Sequence, residues 1–315
     1  MRALVTGGAG FIGSHLVDAL VARGDDVVVL DNLATGKVEN LNREAKFIEG
    51  DVSQLDDVVE AMAGCEVVFH QAALGSVPRS VARPLDTDRA NVHGTLTVLA
   101  VARDAGVRRV VAASSSSVYG GARQVPTPED LELIPRSPYA VSKLTGEHYS
   151  RVAWELHGLE TVCLRYFNVY GPRQRPDSEY AAVIPRFIDA LVNGLPPEVH
   201  GDGLQSRDFT YVSDAVQANL RAASAPAEAC AGKAYNVAHG VPHSLLDLLA
   251  ILRAQLGVDI QPVHVDSRPG DVRLSHADVS AARRDLGYEP VVTFEEGLAK
   301  TLDWFRSRSR ELLGS

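Results

Sequence analysis

The chain has 315 residues, 45% of them apolar and 23% charged, with a formal net charge of −9; such a composition belongs to a globular protein with room for a large core in one or two domains. The acidic balance argues against a sequence-independent nucleic-acid binder, which needs a basic surface, but a few local arginines can still hold a phosphate ligand. The start MRALVTGG has no signal-peptide pattern, no apolar run is long enough to span a bilayer, and Cys65, Cys163 and Cys230 are too scattered for a disulfide framework or a C-x-x-C site; a cytoplasmic protein with no membrane or nucleic-acid partner is expected.

In chain order, the first half alternates short apolar runs with helical patterns. Strands are expected at 2–6, 26–30, 45–49, 66–70 and 108–114, with helices at about 11–23, 53–63 and 86–105 between them. A helix at about 138–157 and a strand at 160–167 follow. Continuous apolar strands suit a parallel sheet covered on both faces, so the fold class expected is α/β, a doubly wound parallel sheet with a second, smaller mixed α/β domain. The second half carries Pro/Gly-rich loops, helices near 180–193, 213–224, 244–256 and 294–308, and an Ala-rich stretch at 222–232 that reads as a surface turn. The expected division is 1–168 for the dinucleotide-binding (Rossmann) domain and 169–315 for the substrate domain. A segment near 208–240, with the strand-like run 234–238, would return to the first sheet.

Three stretches carry chemistry. VTGGAGFIGSH spaces Gly7, Gly10 and Gly13 between the first strand and the first helix, around Phe11 and Ile12. Glycines there let backbone N–H groups at a helix start approach a pyrophosphate. Asp31 ends the second strand, followed by Asn32; a carboxylate at that point accepts both ribose hydroxyls and repels a 2′-phosphate, which favours NAD over NADP. Asp51 and Val52 follow the third strand and either contact the adenine or form a plain turn. In SPYAVSKLTGEHY, Tyr139 and Lys143 are four apart and share a helical face. A phenol of pKa about 10 is a poor base, and a neighbouring ammonium would favour its phenolate. A Tyr/Lys pair at this spacing is common on exposed helices, so alone it says little. The third stretch is VAASSSSVYGG, an apolar strand ending on Ser114 to Ser117. Hydroxyls at the carboxyl edge of a parallel sheet stand where ligands bind in open α/β folds. His70 reads as a packed histidine, and His239 and His243 are separated by Pro242, which breaks the helix a metal pair would need; no metal site is expected.

TGGAGFIG, Asp31, SSSSVYG and YAVSK together resemble the extended short-chain dehydrogenase/reductase family, and within it the NAD-dependent nucleotide-sugar epimerases. LRYFNVYGPRQ, SRDFTYVSD and RPGDVRLSHADVS extend the resemblance over nearly the whole chain. Through QAALGSVPRS, YAAVIPRF and GDVRLSHAD it is nearest to the UDP-N-acetylglucosamine 4-epimerases. The resemblance implies Ser115 as the catalytic serine, with Ser116 and Ser117 beside the substrate. It implies that Tyr139 takes the proton of the sugar O4 hydroxyl while C4 gives hydride to NAD, and that the 4-keto sugar turns over before hydride returns. Lys143 would bind the nicotinamide ribose and lower the tyrosine pKa. Asn168 and Arg207 are implied at the diphosphate, Arg268 and Asp271 at the phosphate and uridine ribose, Ser76 and Arg79 on the sugar side. Ser275 is small where glucose/galactose-restricted relatives carry tyrosine, which leaves room for an acetamido group. A homodimer through the helices at 86–105 and 138–157 is the family expectation.

Alternatives stay within reach. UDP-glucose or UDP-glucuronate 4-epimerisation is the first. A dehydratase of the same family would place an Asp-Glu pair where Ser116 and Ser117 stand, and a non-enzymatic NAD sensor on the same fold would lack the Tyr/Lys pair.

Overall fold

The computed structural model describes residues 1–121, 123–175, 182–267 and 273–313, with side chains described to residue 308. Its first half lays down β1 (Arg2–Thr6), α1 (Phe11–Ala22), β2 (Asp26–Asp31), β3 (Lys46–Glu49), α2 (Leu55–Met62) and β4 (Val67–His70). Next come α3 (Val77–Ala82), α4 (Pro84–Asp88), α5 (Gly94–Asp104), β5 (Arg109–Ser115), α6 (Pro138–His157) and β6 (Glu160–Tyr166). The interior strands are apolar almost throughout because both faces are covered: Leu4, Val28, Val68 and Val110 pack toward one layer, Val5, Val29, Phe69 and Val111 toward the other.

The second half supplies β7 (Val169–Tyr170), α7 (Val183–Val192), β8 (Glu198–His200), β9 (Ser206–Asp208), β10 (Thr210–Tyr211), α8 (Val212–Ser224), α9 (Ala227–Cys230) and β11 (Lys233–Val237). It ends with β12 (Pro242–Ser244), α10 (Leu245–Leu256), β13 (Val263–Val265), α11 (Ser280–Leu286) and α12 (Phe294–Leu313). The central sheet has seven strands in the order β11-β6-β5-β4-β1-β2-β3, all pairs parallel. Strand order reverses between β1 and β4, so the carboxyl ends there open a crevice of the kind that holds ligands in doubly wound folds. A separate apolar cluster, built on Tyr170, Phe187, Phe209, Leu248, Phe294 and Leu302, is the core of the smaller layer.

Two expectations need correction. The helix expected over 86–105 is interrupted: α4 passes through a π-helical turn, Arg89–His93, before α5 begins. That turn carries buried Asn91, whose amide accepts from the Leu74 N–H at 2.8 Å and donates to the Ser142 hydroxyl at 3.0 Å; π-turns of this kind re-aim single side chains near functional sites. The stretch 222–232 is a surface turn only in its middle, where Ser224, Pro226 and Glu228 are exposed between the end of α8 and the short α9. Its ends, Ala222, Ala223 and Cys230, are buried in the apolar core, and Arg109 donates to the carbonyls of Ala222 at 2.7 Å and Ala225 at 2.6 Å. The start of the helix expected at 180–193 lies outside the described residues; α7 is described from Val183.

Candidate active site

β1 ends in a turn only glycine can make. Gly7 has φ +70°, and a Cβ there would lie 2.6 Å from the Ala72 nitrogen; a Cβ on Gly13 would collide with the Gly7 carbonyl. Bare backbone therefore faces a cavity of about 660 Å³ at the start of α1, lined by Gly7, Gly10, Asp31, Asn32, Asp51 and Val52 among others. This is a cradle that a side chain would fill, with helix N–H groups at its floor and a carboxylate at the far strand end, and it fits a dinucleotide. Phe11 and Ile12 open α1 behind it. Asp31 accepts the Ala9 N–H at 2.9 Å and the Leu33 N–H at 2.8 Å, and burial raises its pKa against those two bonds. Asn32 donates to Asp51 at 3.0 Å. Burial pushes Asp51 up, but the Ser53 N–H and hydroxyl, Asn32 and Arg89 outweigh it and leave it below its ordinary value.

At the end of β5 the four serines divide their work. Ser114 is buried and donates to Glu147. Ser115 closes the strand, accepts the Ser117 N–H at 3.2 Å, and hydrogen-bonds the Tyr139 phenol. Ser116 and Ser117 begin a 3₁₀ turn and line a second cavity of about 290 Å³ with Tyr119, Asn168, Arg207 and Ser275. The Ser117 hydroxyl is buried without a hydrogen-bond partner in the protein. The chain thus ends a buried strand on hydroxyls because Ser114 meets a carboxylate, Ser115 a phenol and a backbone N–H, and Ser116 and Ser117 a cavity.

Helix α6 starts at Ser137, whose hydroxyl accepts from the Ala140 N–H, and Pro138 is preorganised for the first turn. Tyr139 and Lys143 lie on its sheet-facing side. Lys143 donates to the Ala113 carbonyl at 2.9 Å, and burial lowers its pKa to about 8, with Cys163 and Glu147 acting the other way. The Tyr139 phenol lies above its ordinary pKa, raised by burial, and the Ser115 hydroxyl is the group that draws it down. The Lys143 ammonium stands one turn along the helix from the phenol, tied to the end of β5.

Asn168 takes φ +38°, an uncommon conformation for a side-chain-bearing residue. It is held there by its amide on the Asp208 carbonyl at 3.1 Å and by the Thr210 N–H on its own carbonyl at 3.3 Å. Asn168 and Arg207 also line a third cavity, of about 430 Å³, with Tyr170, Ile184, Glu198, Gln205 and Phe209. Ser76 and Arg79, expected on the sugar side, belong to the start of α3, whose Val77 lines the second and third cavities. Ser76 is the N-cap of α3, its hydroxyl taken by the Arg79 N–H at 3.2 Å, and Arg79 lines the cofactor-side cavity. Arg268 and Asp271 lie outside the described residues. His70 is packed between Thr6 at 2.8 Å and Thr95 at 2.9 Å, and burial, with the Lys143 charge, lowers its pKa to about 3. Among the described residues no group of three or more His, Cys, Asp or Glu side chains is arranged to hold a metal ion, and no helix is long and apolar enough to cross a membrane.

Sequence reasoning missed Glu147 and Arg165, which form a buried pair behind the Tyr139–Lys143 face. The signal was available: 139, 143 and 147 continue one helical spacing. It also missed Arg136, on the wall of the second cavity.

The profile of the NAD dependent epimerase/dehydratase family matches residues 3–238. A UDP-glucose 4-epimerase of Mycolicibacterium smegmatis is 42% identical over 98% of this chain and 100% of its own. Among solved structures, the UDP-glucose 4-epimerase of Thermotoga maritima with UDP-glucose superposes with a TM-score of 0.94 at 39% identity, covering 98% of this chain and 100% of the other. The UDP-N-acetylglucosamine 4-epimerase of Methanobrevibacter ruminantium, in complex with UDP-N-acetylmuramic acid, gives 0.92 at 41% identity and 98% of both chains. With the glycine cradle, the serine-ended strand and the Tyr139–Lys143 helix in one parallel sheet, these likenesses establish that the chain belongs to the NAD-dependent epimerase/dehydratase family.

Proposed function

We propose that the protein interconverts UDP-N-acetylglucosamine and UDP-N-acetylgalactosamine, and UDP-glucose and UDP-galactose, by inverting C4 through a 4-keto sugar. When bound, NAD supplies the hydride acceptor and donor. In this reading Tyr139 exchanges the proton of the sugar O4, with Ser115 hydrogen-bonded to the phenol as relay. Lys143, tied to the strand end at Ala113, supplies the positive charge that a developing phenolate and a ribose need. The cavity with Ser116, Ser117 and Ser275 takes the sugar; the adjoining one takes the uridine end, and Asn168 and Arg207, common to both walls, meet the diphosphate between them. The chain divides accordingly into a cofactor part, 1–168 with β11 returned to it, and a substrate part, 169–315. A reducing compartment, the cytoplasm, suits its three free, buried cysteines.

The observation that carries the N-acetyl assignment is Ser275 on the wall of the sugar cavity, fixed there by its N–H on the Ser206 carbonyl at 3.1 Å. A hydroxymethyl leaves the volume that an acetamido group fills. Ser275→Tyr should abolish turnover of the acetamido pair and spare UDP-glucose, because overpacking penalises only the larger ligand. Measuring kcat/KM on both pairs decides it: equal losses on the two would remove Ser275 as the gate. A second reading, UDP-glucuronate, is favoured by Arg136, whose charge at the same cavity would meet a C6 carboxylate.

A further inference from the structure

We propose that Glu147, clamped by Arg165, is a positioning residue of the reaction, fixing the serine-ended strand through Ser114 and keeping the Lys143 ammonium charged. The inference rests on the reading of Tyr139, Lys143 and Ser115 given above.

Glu147 lies one turn beyond Lys143 on α6 and is almost fully buried, its side chain 8% exposed and that of Arg165 5%. The pair is side-on: Arg165 Nε donates to Oε1 at 2.9 Å and Nη2 to Oε2 at 2.8 Å. Ser114 adds a third donor on Oε1. Ser114 is the residue before Ser115, so the same carboxylate that faces the lysine also holds the strand carrying the relay hydroxyl. Arg165 Nη1 in turn donates to the Tyr119 hydroxyl at 2.8 Å and the Glu129 carbonyl at 2.9 Å, and Tyr119 donates to Asn236 of β11 at 2.7 Å. Tyr119 lines the sugar cavity, so one network joins the proton-transfer helix, the strand end and the wall of the pocket.

Electrostatics singles out Glu147. The titratable groups facing Lys143 are Cys163 on β6, His70 on β4 and Glu147 on its own helix. Burial raises the Cys163 thiol to about 12 and lowers His70 to about 3, so both are neutral at working pH. Glu147 is therefore the charge that opposes the desolvation of the ammonium. A buried ion pair is by itself weak evidence for stability, since apolar residues of similar volume often serve as well; its value here lies in where it holds charge and hydroxyl.

The test is the pH dependence of turnover with the UDP-hexose that the wild type epimerises, run beside Tyr139→Phe. Glu147→Gln should lower kcat more than tenfold with little change in KM, and move the alkaline limb of the profile, which follows Lys143, about one unit toward lower pH. Glu147→Asp keeps the charge and should keep the limb in place even where its Tm falls. If Glu147→Gln does not accumulate as folded protein, Glu147→Leu with Arg165→Met removes both charges without stranding either, and a downward move smaller than one unit is expected, because the opposing Arg165 charge is lost as well. An inactive Tyr139→Phe beside variants that lose Tm with an unmoved limb overturns the proposal alone. Wild-type turnover by Tyr139→Phe, or a wild type that epimerises no UDP-hexose, overturns the functional reading and the proposal with it.

Discussion

His70 shows what a single side chain contributes to the cofactor side. The Thr95 hydroxyl donates to the Asn91 carbonyl at 2.5 Å, so at His70 it accepts; the ring therefore carries its proton on Nε2 and takes the Thr6 hydroxyl on Nδ1. Thr6 is left to accept the Ala72 N–H at 3.3 Å, which fixes the segment against which Gly7 packs. The folded pKa, about 3, lies below the unfolded value of 6.5, so in that window the unfolded chain binds the extra proton. Stability is whole at neutral pH and is lost as the pH falls from 6.5 toward 3. His70→Gln keeps a donor and an acceptor but does not titrate. Between pH 7.5 and 5 the wild type should lose about 2 kcal/mol more than this variant in urea unfolding; parallel losses would contradict a buried neutral ring. That His70 packs rather than catalyses was legible from its place after an apolar strand. The identity of its partners was not, because Thr6 and Thr95 are far away in sequence. The serine run was legible only as a site: that Ser114 turns to Glu147 while Ser115 turns to Tyr139 depends on the facing helix.

Helix α6 is the element on which most of the chemistry is strung. One side carries Tyr139, Lys143 and Glu147. The other exposes Val141, Tyr149, Val152 and Leu156, the last 72% accessible. Val141 to Tyr149 is two i+4 steps, and Val152 and Leu156 continue at i+3 and i+4, which makes an apolar stripe. Leu96 of α5 is exposed nearby in the same layer. We propose that a second copy of the chain covers this stripe, forming a helix-to-helix homodimer. Val152→Glu with Leu156→Glu should convert the dimer to a monomer in sedimentation analysis; a monomeric wild type would refute the assignment. The sequence made this helix legible through the four-residue spacing of Tyr139 and Lys143. It did not reveal the π-turn before α5, since helical periodicity is nearly the same on either side of one inserted residue, and what selects the turn is the buried Asn91 reaching Leu74 and Ser142. Nor did the Ala-rich stretch 222–232 betray that its ends, Ala222, Ala223 and Cys230, are buried: its small residues look like a loop until Arg109 is seen beneath them.

At the scale of the molecule, the seven-stranded sheet holds the dinucleotide cradle at the carboxyl end of β1 and the serines at that of β5, with β4 between them, while β9 and the segment around Ser275 bring the second layer against them. Asp208 ties that layer together: its buried carboxylate accepts the N–H groups of His239, Gly240 and Ala277, at 3.0, 3.0 and 3.1 Å. The dinucleotide cradle and the cavity with Ser116, Ser117 and Ser275 thus both open at the carboxyl ends of the sheet strands. The cofactor side was legible because its glycine spacing is local; the substrate side depends on segments distant in sequence, so that Arg136 shares a wall with Ser116, Asn168, Arg207 and Ser275 could not be read from spacing. The central claim is that the purified protein carries NAD and inverts C4 unaided. Incubation with UDP-N-acetylglucosamine, UDP-N-acetylgalactosamine, UDP-glucose and UDP-glucuronate, with no NAD added, followed by proton NMR of the sugar ring, tests it most directly. The account predicts an equilibrium mixture of the C4 epimers of the acetamido and glucose pairs, and no free NADH. Turnover that requires added NAD and yields NADH in proportion to product would contradict it.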